Sequence, residues 1–430
     1  MKGLGYYALY LVPLLALIGF YSRKRRAHES ASYSKLDEAV VSSMIEPPTL
    51  HPDFILSKCF GSGACVKACP EGAIGIINGK GTLINPAHCI GHGACEPACP
   101  MKAVKLVFGT EKRGVEIPKV NPNFETNVPG LFIAGELGGM GLIRNAVTQG
   151  SRAIEYIAKR PKGADLDVVI VGAGPAGIAA SLAATKLGLK FVTVEQEDSM
   201  GGTTYHYPRN KIVMTAPMDL PIIGKVKVRE ISKESLMELW QNVIEKAQLK
   251  IRYNERMEEI KPEGKAFVVR TARASYKAGS VLLSIGRRGT PRKLGSPGED
   301  QPKVVYRLIE ADQYRSKHVV VVGGGDSALE AALDVSAEPG TTVTLSYRGA
   351  AFNRVKIKNR KRLEEAVAEK RLTLALETQI ANVGVDRITL RKGKEEFEIP
   401  NDAVIVCAGG DLPTPFLKKI GVEVEAHYGT

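Results

Sequence analysis

Two copies of one short cysteine pattern constrain this chain more than any other feature. Each copy contains three cysteines, has Gly-Ala before the second of them, and ends in Cys-Pro. The cysteines are Cys59, Cys65 and Cys69 and, thirty residues later, Cys89, Cys95 and Cys99. Disulfide frameworks are typical of small secreted chains, and zinc sites usually pair ligands at shorter spacing. The repeat therefore favours two similar metal-binding loops, with zinc and an empty, degenerate site as the remaining alternatives.

The two copies resemble the cysteine run of bacterial two-cluster ferredoxins, in which one cysteine of each copy has been replaced. Ser62 stands at that position in the first copy and His92 in the second. The resemblance covers about residues 51–108 and implies a small α+β ferredoxin-like domain with two iron–sulfur clusters. It also implies that the last cysteine of each copy binds the cluster of the other copy. The implied ligand sets are Cys59, Ser62, Cys65 and Cys99, and Cys69, Cys89, His92 and Cys95.

The replaced ligands leave the iron content of both clusters open. Ser62 could bind iron through its oxygen, and His92 could bind through a neutral imidazole, as histidine does in Rieske centres. If neither residue binds iron, each cluster would be a three-iron form rather than a four-iron form.

The N-terminal residues predict a membrane anchor. Residues 4–21 are uncharged and mostly apolar, close to the minimum length for a spanning helix, and the basic run 23–26 follows. The positive-inside rule then places the rest of the chain in the cytoplasm. We therefore expect one transmembrane helix within residues 1–26, in a bacterial inner (cytoplasmic) membrane, and a polar linker over 27–50. The net charge of +13 fits anionic lipid and a phosphorylated cofactor, since no nucleic-acid-binding motif accompanies it.

A first dinucleotide fingerprint follows the apolar strand predicted at 167–171. Its glycines are Gly172, Gly174 and Gly177, and an apolar helical segment comes next. In this motif the glycines permit a tight turn, close approach of a pyrophosphate and packing of helix on strand. A second strand ends at Glu195, twenty-three residues after Gly172, where a carboxylate accepts hydrogen bonds from ribose hydroxyls.

A second fingerprint differs at the matching acidic position. It consists of Gly323, Gly325 and Ala328 after another apolar strand. Its following strand leads into Arg348, and Arg354 lies a short turn further on. Arginine pairs bidentately with phosphate, so this site is predicted to select NADPH through its 2′-phosphate.

The chain beyond residue 115 resembles the thioredoxin-reductase-like branch of the pyridine nucleotide–disulfide oxidoreductases. The resemblance rests on four segments: 126–136, 172–177, 297–299 and 323–328. It implies an α/β fold with two Rossmann-like domains, one for FAD and one for NADPH. In the family the segment matching 126–136 follows the NADPH domain, and its acidic residue contacts the flavin. Here it precedes the first fingerprint, so we infer a circular permutation in which Gly135 and Glu136 take that flavin-binding role.

These patterns predict seven segments. They are the anchor 1–26, the linker 27–50, the ferredoxin-like domain 51–108, the permuted FAD-binding segment 109–162, the FAD-binding domain 163–290, the NADPH-binding domain 291–402, and a return to the FAD domain over 403–430.

The predicted activity is electron transfer between NADPH, FAD and the iron–sulfur clusters, in either direction, with an unknown redox partner protein or small-molecule acceptor. We predict no catalytic side chain, because hydride transfer to flavin needs no nucleophile or base. Residues 300–318 lack the Cys-x-x-Cys of thioredoxin reductases. A disulfide or small-molecule reductase with structural or sensing clusters remains an alternative, as does a non-enzymatic redox sensor. A homodimer is implied by resemblance only.

Overall fold

The computed structural model describes residues 2–41, 47, 50–111, 114–139, 141–161, 164–207, 211–287, 289–352, 355 and 357–429. These residues form two units. One is built mainly from the residues before Val115 and the other mainly from Val115 to Ala426.

The first unit combines one long helix with short elements around the cysteine loops. Its elements are α1 (Lys2–Val41), β1 (His51–Phe54), α2 (Ala64–Ala68), β2 (Ile74–Ile77), β3 (Lys80–Leu83), α3 (Cys95–Ala98) and β4 (Val104–Val107), with a 3-10 turn at Pro86–His88. Strands β1 and β4 pair antiparallel, and β2 and β3 form a hairpin. The hairpin turn at Asn78-Gly79 has positive φ at both residues, the conformation that Asn-Gly favours in two-residue hairpin turns.

Helix α1 continues well past the predicted anchor and packs against the β2–β3 hairpin. The Tyr33 hydroxyl donates to Asn78 Oδ1 at 3.0 Å, and the Asn78 backbone N–H donates to the Glu29 carboxylate. Ser32 and Ala39 on the same helix are buried. The segment predicted as a polar linker over 27–50 is therefore helical as far as Val41.

The predicted transmembrane anchor, and with it the membrane localisation, is wrong. Within the part of the chain that the structure describes, no helix has the length and apolar character needed to cross a membrane. The uncharged stretch at 4–21 shares one continuous helix with the basic run 23–26 and the polar residues that follow. Tyrosines, glycines and Pro13 also interrupt its apolar residues, so this helix is less apolar than the count of leucines indicates.

The second unit contains two Rossmann-like parts. The first part contains β5 (Val115–Pro118), β6 (Leu131–Ile133), α4 (Ile143–Ile157), β7 (Leu166–Val171), α5 (Pro175–Lys186), β8 (Phe191–Val194), β9 (Ile212–Met214), β10 (Met218–Leu220), β11 (Gly224–Val226), β12 (Glu230–Ser232), α6 (Lys233–Lys246), β13 (Ile251–Arg252), β14 (Met257–Glu263), β15 (Ala266–Thr271) and β16 (Ser275–Leu283), with 3-10 turns at Glu136–Gly138 and Gly202–Thr204.

The remaining elements form the second Rossmann-like part, and the last of them pack again with the first part. They are β17 (Thr290–Pro291), β18 (Val304–Val305), β19 (His318–Val322), α7 (Asp326–Ser336), β20 (Thr342–Tyr347), α8 (Ile357–Ala368), β21 (Leu372–Leu376), β22 (Gln379–Val383), β23 (Arg387–Lys392), β24 (Glu395–Pro400), β25 (Ala403–Val406), β26 (Gly410–Asp411), α9 (Thr414–Lys419) and β27 (Val424–His427), with a 3-10 turn at Asp312–Tyr314.

A seven-stranded sheet forms the centre of the first part. Its strand order is β13-β8-β7-β16-β15-β14, and β6 pairs with the end of β16. The strands β13, β8, β7, β16 and β6 are parallel, whereas β15 and β14 run antiparallel. Strand β6, most of β7 and β8, and the end of β16 are buried on both faces, which explains their mostly apolar sequences, whereas β13 at the edge is partly exposed.

The segment that precedes the first fingerprint in sequence is built into this sheet. Leu283 of β16 pairs with Ile133 of β6 on one side and with Val171 of β7 on the other. The loops after β6 and β7 therefore leave the sheet at the same level and the same edge. Ligands of open α/β sheets bind at the carboxyl ends of the strands, so this register brings the two predicted flavin-binding segments to one site.

A five-stranded parallel sheet, β18-β25-β19-β20-β21, forms the second part, with the antiparallel sheet β22-β23-β24 beside it. Strand β25 pairs with β19 in this sheet, although residues from 403 were predicted to return to the FAD domain. The return starts later, because Leu417 and Val422 belong to the core that contains Leu131. The run at 403–406 is buried on both faces, and an apolar run alone does not indicate which sheet it joins.

Candidate functional site

The first fingerprint has one open glycine between two packed ones. A Cβ on Gly172 would lie 2.6 Å from the Ser284 carbonyl oxygen, and one on Gly177 would lie 1.8 Å from the Gly172 carbonyl oxygen. A Cβ on Gly174 would meet no protein atom closer than 3.9 Å. Gly174 precedes the first turn of α5, whose N–H groups favour an anion. The loop therefore leaves room where a pyrophosphate would approach.

Glu195 lies at the end of β8 and is tied to the same loop. Its side chain is 6% exposed, and its carboxylate accepts the Ala173 N–H at 2.6 Å and the Glu197 N–H at 3.1 Å. Burial raises the pKa of the Glu195 carboxyl above its ordinary value, although both N–H donors act in the opposite direction. The structure thus holds a buried carboxylate beside the fingerprint, at the position from which binding of a ribose is predicted.

Gly135 and Glu136 follow β6 and lie next to the fingerprint. Gly135 has φ of 84° and donates its N–H to Gln149 Oε1 at 2.8 Å. A Cβ at Gly135 would lie 3.1 Å from the Ala176 Cβ in the fingerprint helix. Glu136 is half-buried and begins the 3-10 turn that leads to α4. The structure thus brings the permuted segment and the first fingerprint together, and the flavin contact of Glu136 stays a prediction.

The second fingerprint repeats the packing of the first. A Cβ on Gly323 would lie 2.4 Å from the Cys407 carbonyl oxygen, whereas one on Gly325 would have no protein atom within 4 Å. Ala328 in the third position is fully buried in α7. The open position is again the second glycine, where a dinucleotide phosphate would approach.

An exposed arginine follows β20 where the first site has Glu195. Arg348 is solvent-exposed, as a group that reaches for a phosphate must be. Arg354, the second predicted phosphate ligand, lies outside the described residues. Tyr347, the residue before Arg348, stacks on Phe352 with ring centroids 5.2 Å apart. The Tyr347 ring also covers Gly324. No sequence pattern predicts this aromatic pair beyond a tyrosine at the end of a strand.

The six repeat cysteines form two sets of three around two separate cavities in the first unit. One cavity is bordered by Cys59, Ser62, Cys65 and Cys99, and the other by Cys69, Cys89, His92 and Cys95. The last cysteine of each sequence copy lies in the set of the other copy. The residues that the ferredoxin resemblance groups together are thus neighbours in the structure.

The chemistry of these cavities suits a cluster of cations. Burial raises the pKa of the Cys65 and Cys89 thiols, and it raises that of Cys95 to about 11. Neighbouring thiols of the same set add to the shift. Three thiolates held so close together in an apolar environment need bound positive charge, which iron supplies.

Backbone hydrogen bonds to the cysteine sulfurs and the arrangement of the thiols around cavities also suit iron–sulfur clusters. The Gly81 N–H donates to Cys59 Sγ at 3.3 Å, and the Ala103 N–H donates to Cys99 Sγ at the same distance. Hydrogen bonds to sulfur tune iron–sulfur clusters. Among the described residues, no three His, Cys, Asp or Glu side chains converge on a single-ion position. The thiols border cavities instead, so the residues present fit a cluster better than one zinc ion.

His51 lies outside any ligand spacing in the sequence but borders the cavity of His92 in the structure. It lies on β1 and is 9% exposed. Its position in sequence, eight residues before Cys59, matches no ligand spacing that could have indicated this.

Two sequence families match this chain. A family described as pyridine nucleotide-disulphide oxidoreductase matches residues 169–428, and one described as 4Fe-4S dicluster domain matches residues 51–100. The chain is 30% identical to ferredoxin–NADP reductase of Ignicoccus hospitalis, over 60% of this chain and 82% of that protein. It is 26% identical to bacilliredoxin reductase Bdr of Bacillus subtilis, over 61% of this chain and 82% of that protein.

Solved structures share the fold of the second unit. Bacillithiol disulfide reductase Bdr from Staphylococcus aureus matches with a TM-score of 0.51 and 24% identity, covering 60% of this chain and 80% of that one. The enzyme of the same name from Bacillus cereus matches with a TM-score of 0.50 and 25% identity, covering 60% and 81%.

Proposed function

The chain belongs to the pyridine nucleotide–disulphide oxidoreductase family, and on that premise we propose that it exchanges electrons between NADPH and its own ferredoxin-type unit through FAD. It is an FAD-containing NADPH oxidoreductase with an iron–sulfur domain, as the two matching families indicate. The finer proposal concerns the route, which would end at a redox partner or small molecule outside the chain.

The observation that carries this proposal is the presence of two sets of three cysteine thiols, each around its own cavity, in a chain with ferredoxin–NADP reductase relatives. The Ignicoccus relative acts, by its name, between NADP and ferredoxin. Here a ferredoxin-type unit belongs to the same polypeptide, and its six thiols lie in two sets of three. We infer that this unit replaces a separate ferredoxin as the immediate partner of the flavin.

Each group of residues would have a binding role and not a chemical one. The open position at Gly174 would accept the FAD pyrophosphate, and Glu195 its ribose. The open position at Gly325 would accept the pyrophosphate of NADPH, and Arg348 would bind its 2′-phosphate. Flavin itself supplies the conversion between two-electron and one-electron transfer. No described side chain is needed as nucleophile or base.

A disulfide reductase is the second candidate, favoured by the similarity to Bdr. That activity would need an electron-accepting or thiol-bearing position close to the flavin. The first fingerprint carries Ala176, and the sequence has no cysteine over 300–318. Outside the two thiol sets the sequence offers Cys407, which is half-buried after β25. The lack of a cysteine in the first fingerprint and over 300–318 favours electron transfer to the clusters over disulfide reduction.

Parallel acceptor assays separate the two candidates. Ferricyanide accepts electrons from reduced flavin directly, whereas cytochrome c serves as a probe for electrons leaving the clusters. We expect the wild type to reduce both with NADPH, and a Cys65→Ala/Cys95→Ala variant to keep ferricyanide reduction but lose most cytochrome c reduction. Flavin content and ferricyanide activity control for folding of the second unit.

A disulfide substrate completes this assay. NADPH-dependent turnover of a low-molecular-weight disulfide that disappears in Cys407→Ala would support the second candidate. Cytochrome c reduction that is equal in wild type and cluster-deficient protein would contradict the proposed route.

A further inference from the structure

We propose that the two cluster sites differ in iron content: a four-iron cluster with His92 as its fourth ligand, and a three-iron cluster at the Ser62 site. This inference rests on the proposed function, since it requires that both thiol sets bind clusters. Its observable is the iron content of each site, independent of activity.

The two ligand loops share positive φ at the glycines on both sides of the replaced ligand. Gly61 and Gly63 flank Ser62 with φ of 70° and 73°, and Gly91 and Gly93 flank His92 with φ of 71° and 74°. The loops therefore present residue 62 and residue 92 from equivalent positions, each at the wall of its own cavity. The difference that we propose between the sites comes from the side chains at these two positions and their surroundings.

The His92 site offers a complete set of four donors. Cys89 and Cys95 are buried there, and His92 is half-buried at the wall that they share with Cys69. A neutral imidazole nitrogen is a good ligand for iron and replaces cysteine at some cluster irons. Three thiolates and one imidazole are sufficient to hold four irons.

The Ser62 site offers only three strong donors. Ser62 is exposed to solvent, and its hydroxyl oxygen accepts a long hydrogen bond of 3.4 Å from the Ala64 N–H. A neutral hydroxyl is a weak ligand for iron, and at an exposed position water competes with it. The thiols of Cys59 and Cys99 already accept backbone N–H groups in the cluster-binding manner. Three thiolates without a fourth ligand suit a three-iron cluster.

The test measures iron, sulfide and spectra of the full chain purified without oxygen. Clusters are first treated with excess ferrous iron and sulfide, so that an iron lost by oxidation is restored. We expect about seven irons per chain, with the Mössbauer and EPR spectra of one three-iron and one four-iron cluster.

Matched substitutions at the two equivalent positions assign each cluster. Ser62→Ala should leave iron content and spectra unchanged, whereas Ser62→Cys should add about one iron and remove the three-iron signal. His92→Ala should lose about one iron and double the three-iron signal, and His92→Cys should retain all the irons. His51→Ala, at the other imidazole bordering this cavity, should behave as wild type.

The outcomes separate this inference from the proposed function. Three results would overturn the proposed difference in iron content and leave the electron-transfer proposal intact. They are loss of iron in Ser62→Ala, unchanged iron in His92→Ala, and two four-iron clusters in the wild type. Reconstituted protein without iron and sulfide would overturn both. If an alanine variant is insoluble, the two cysteine variants still give different expectations. Ser62→Cys should gain one iron, and His92→Cys should gain none.

Discussion

Gly150 of α4 packs directly against Ala176 of α5, and a Cβ on Gly150 would lie only 2.1 Å from the Ala176 carbonyl oxygen. The first residue belongs to the segment that precedes the fingerprint in sequence, and the second lies inside the fingerprint. This close helix contact, together with the pairing of β6 and β16, fixes the segment in the seven-stranded sheet. It gives the inferred permutation a physical basis that does not depend on motif order.

Replacing this packed glycine should destabilise the second unit. Gly150→Ala forces α4 away from α5, and such overpacking costs about 1–3 kcal/mol. The single tryptophan, Trp240, is fully buried in a core shared with α4, so its fluorescence reports unfolding in urea. Gly19→Ala is the control, because Gly19 is also helical but has no atom within 4 Å of its added Cβ. Equal midpoints for the two variants would disprove the tight contact.

The raised pKa of Glu195 predicts a pH effect on the flavin-free protein. The folded state holds the Glu195 proton more tightly than the unfolded state, because burial disfavours the carboxylate. The stabilising contribution is therefore complete below the ordinary carboxyl pKa and is lost as pH rises through the folded value. Glu195→Gln should remove this loss and flatten the pH profile of urea midpoints. Glu238→Gln, at an exposed carboxylate on α6, should keep the wild-type slope.

Substitution of Gly174 and of Gly325 should remove different cofactors. Gly174→Val should fold but lose FAD, because its side chain fills the space left for the pyrophosphate and clashes with no close protein atom. Gly325→Val should keep FAD and lose NADPH for the same reason at the second site. Bound flavin by absorbance and NADPH binding by fluorescence distinguish the two. Retention of both cofactors in both variants would mean that the dinucleotides bind elsewhere.

Arg348 is predicted to select the phosphorylated cofactor. Arg348→Ala should weaken NADPH binding by about 1.5–3 kcal/mol, the contribution of a charged hydrogen bond, and leave NADH binding nearly unchanged. Arg391→Ala removes an equally exposed arginine from β23 and should affect neither. Isothermal titration with both nucleotides measures the difference. An equal loss for NADH and NADPH would show that Arg348 does not contact the 2′-phosphate.

Local signals predicted much of this fold. The strands around both fingerprints and the hairpin at Asn78 follow from short apolar runs and turn residues, which act over a few residues. The grouping of the cysteines was implied by the resemblance to two-cluster ferredoxins, which itself rests on a short local repeat. Such features depend little on distant contacts, so sequence reasoning captures them.

Long-range packing was beyond sequence reasoning. The second half of α1 was expected to be a linker, because its polar residues do not reveal the Tyr33–Asn78 contact across forty-five positions. The membrane anchor was inferred from a short apolar stretch without its helical context. His51 lies beside the His92 cavity only because β1 pairs with β4. For the second half of α1 and for His51, the deciding partner is remote in sequence.

The central claim is that electrons pass between NADPH and the clusters through the flavin. The most direct test is an anaerobic titration followed by flavin absorbance and low-temperature EPR, in both directions: NADPH into the oxidised protein, and NADP into the chemically reduced protein. We predict that the cluster signals change together with the flavin in at least one direction. Clusters present by iron analysis whose signals respond in neither direction, while the flavin does, would contradict the account.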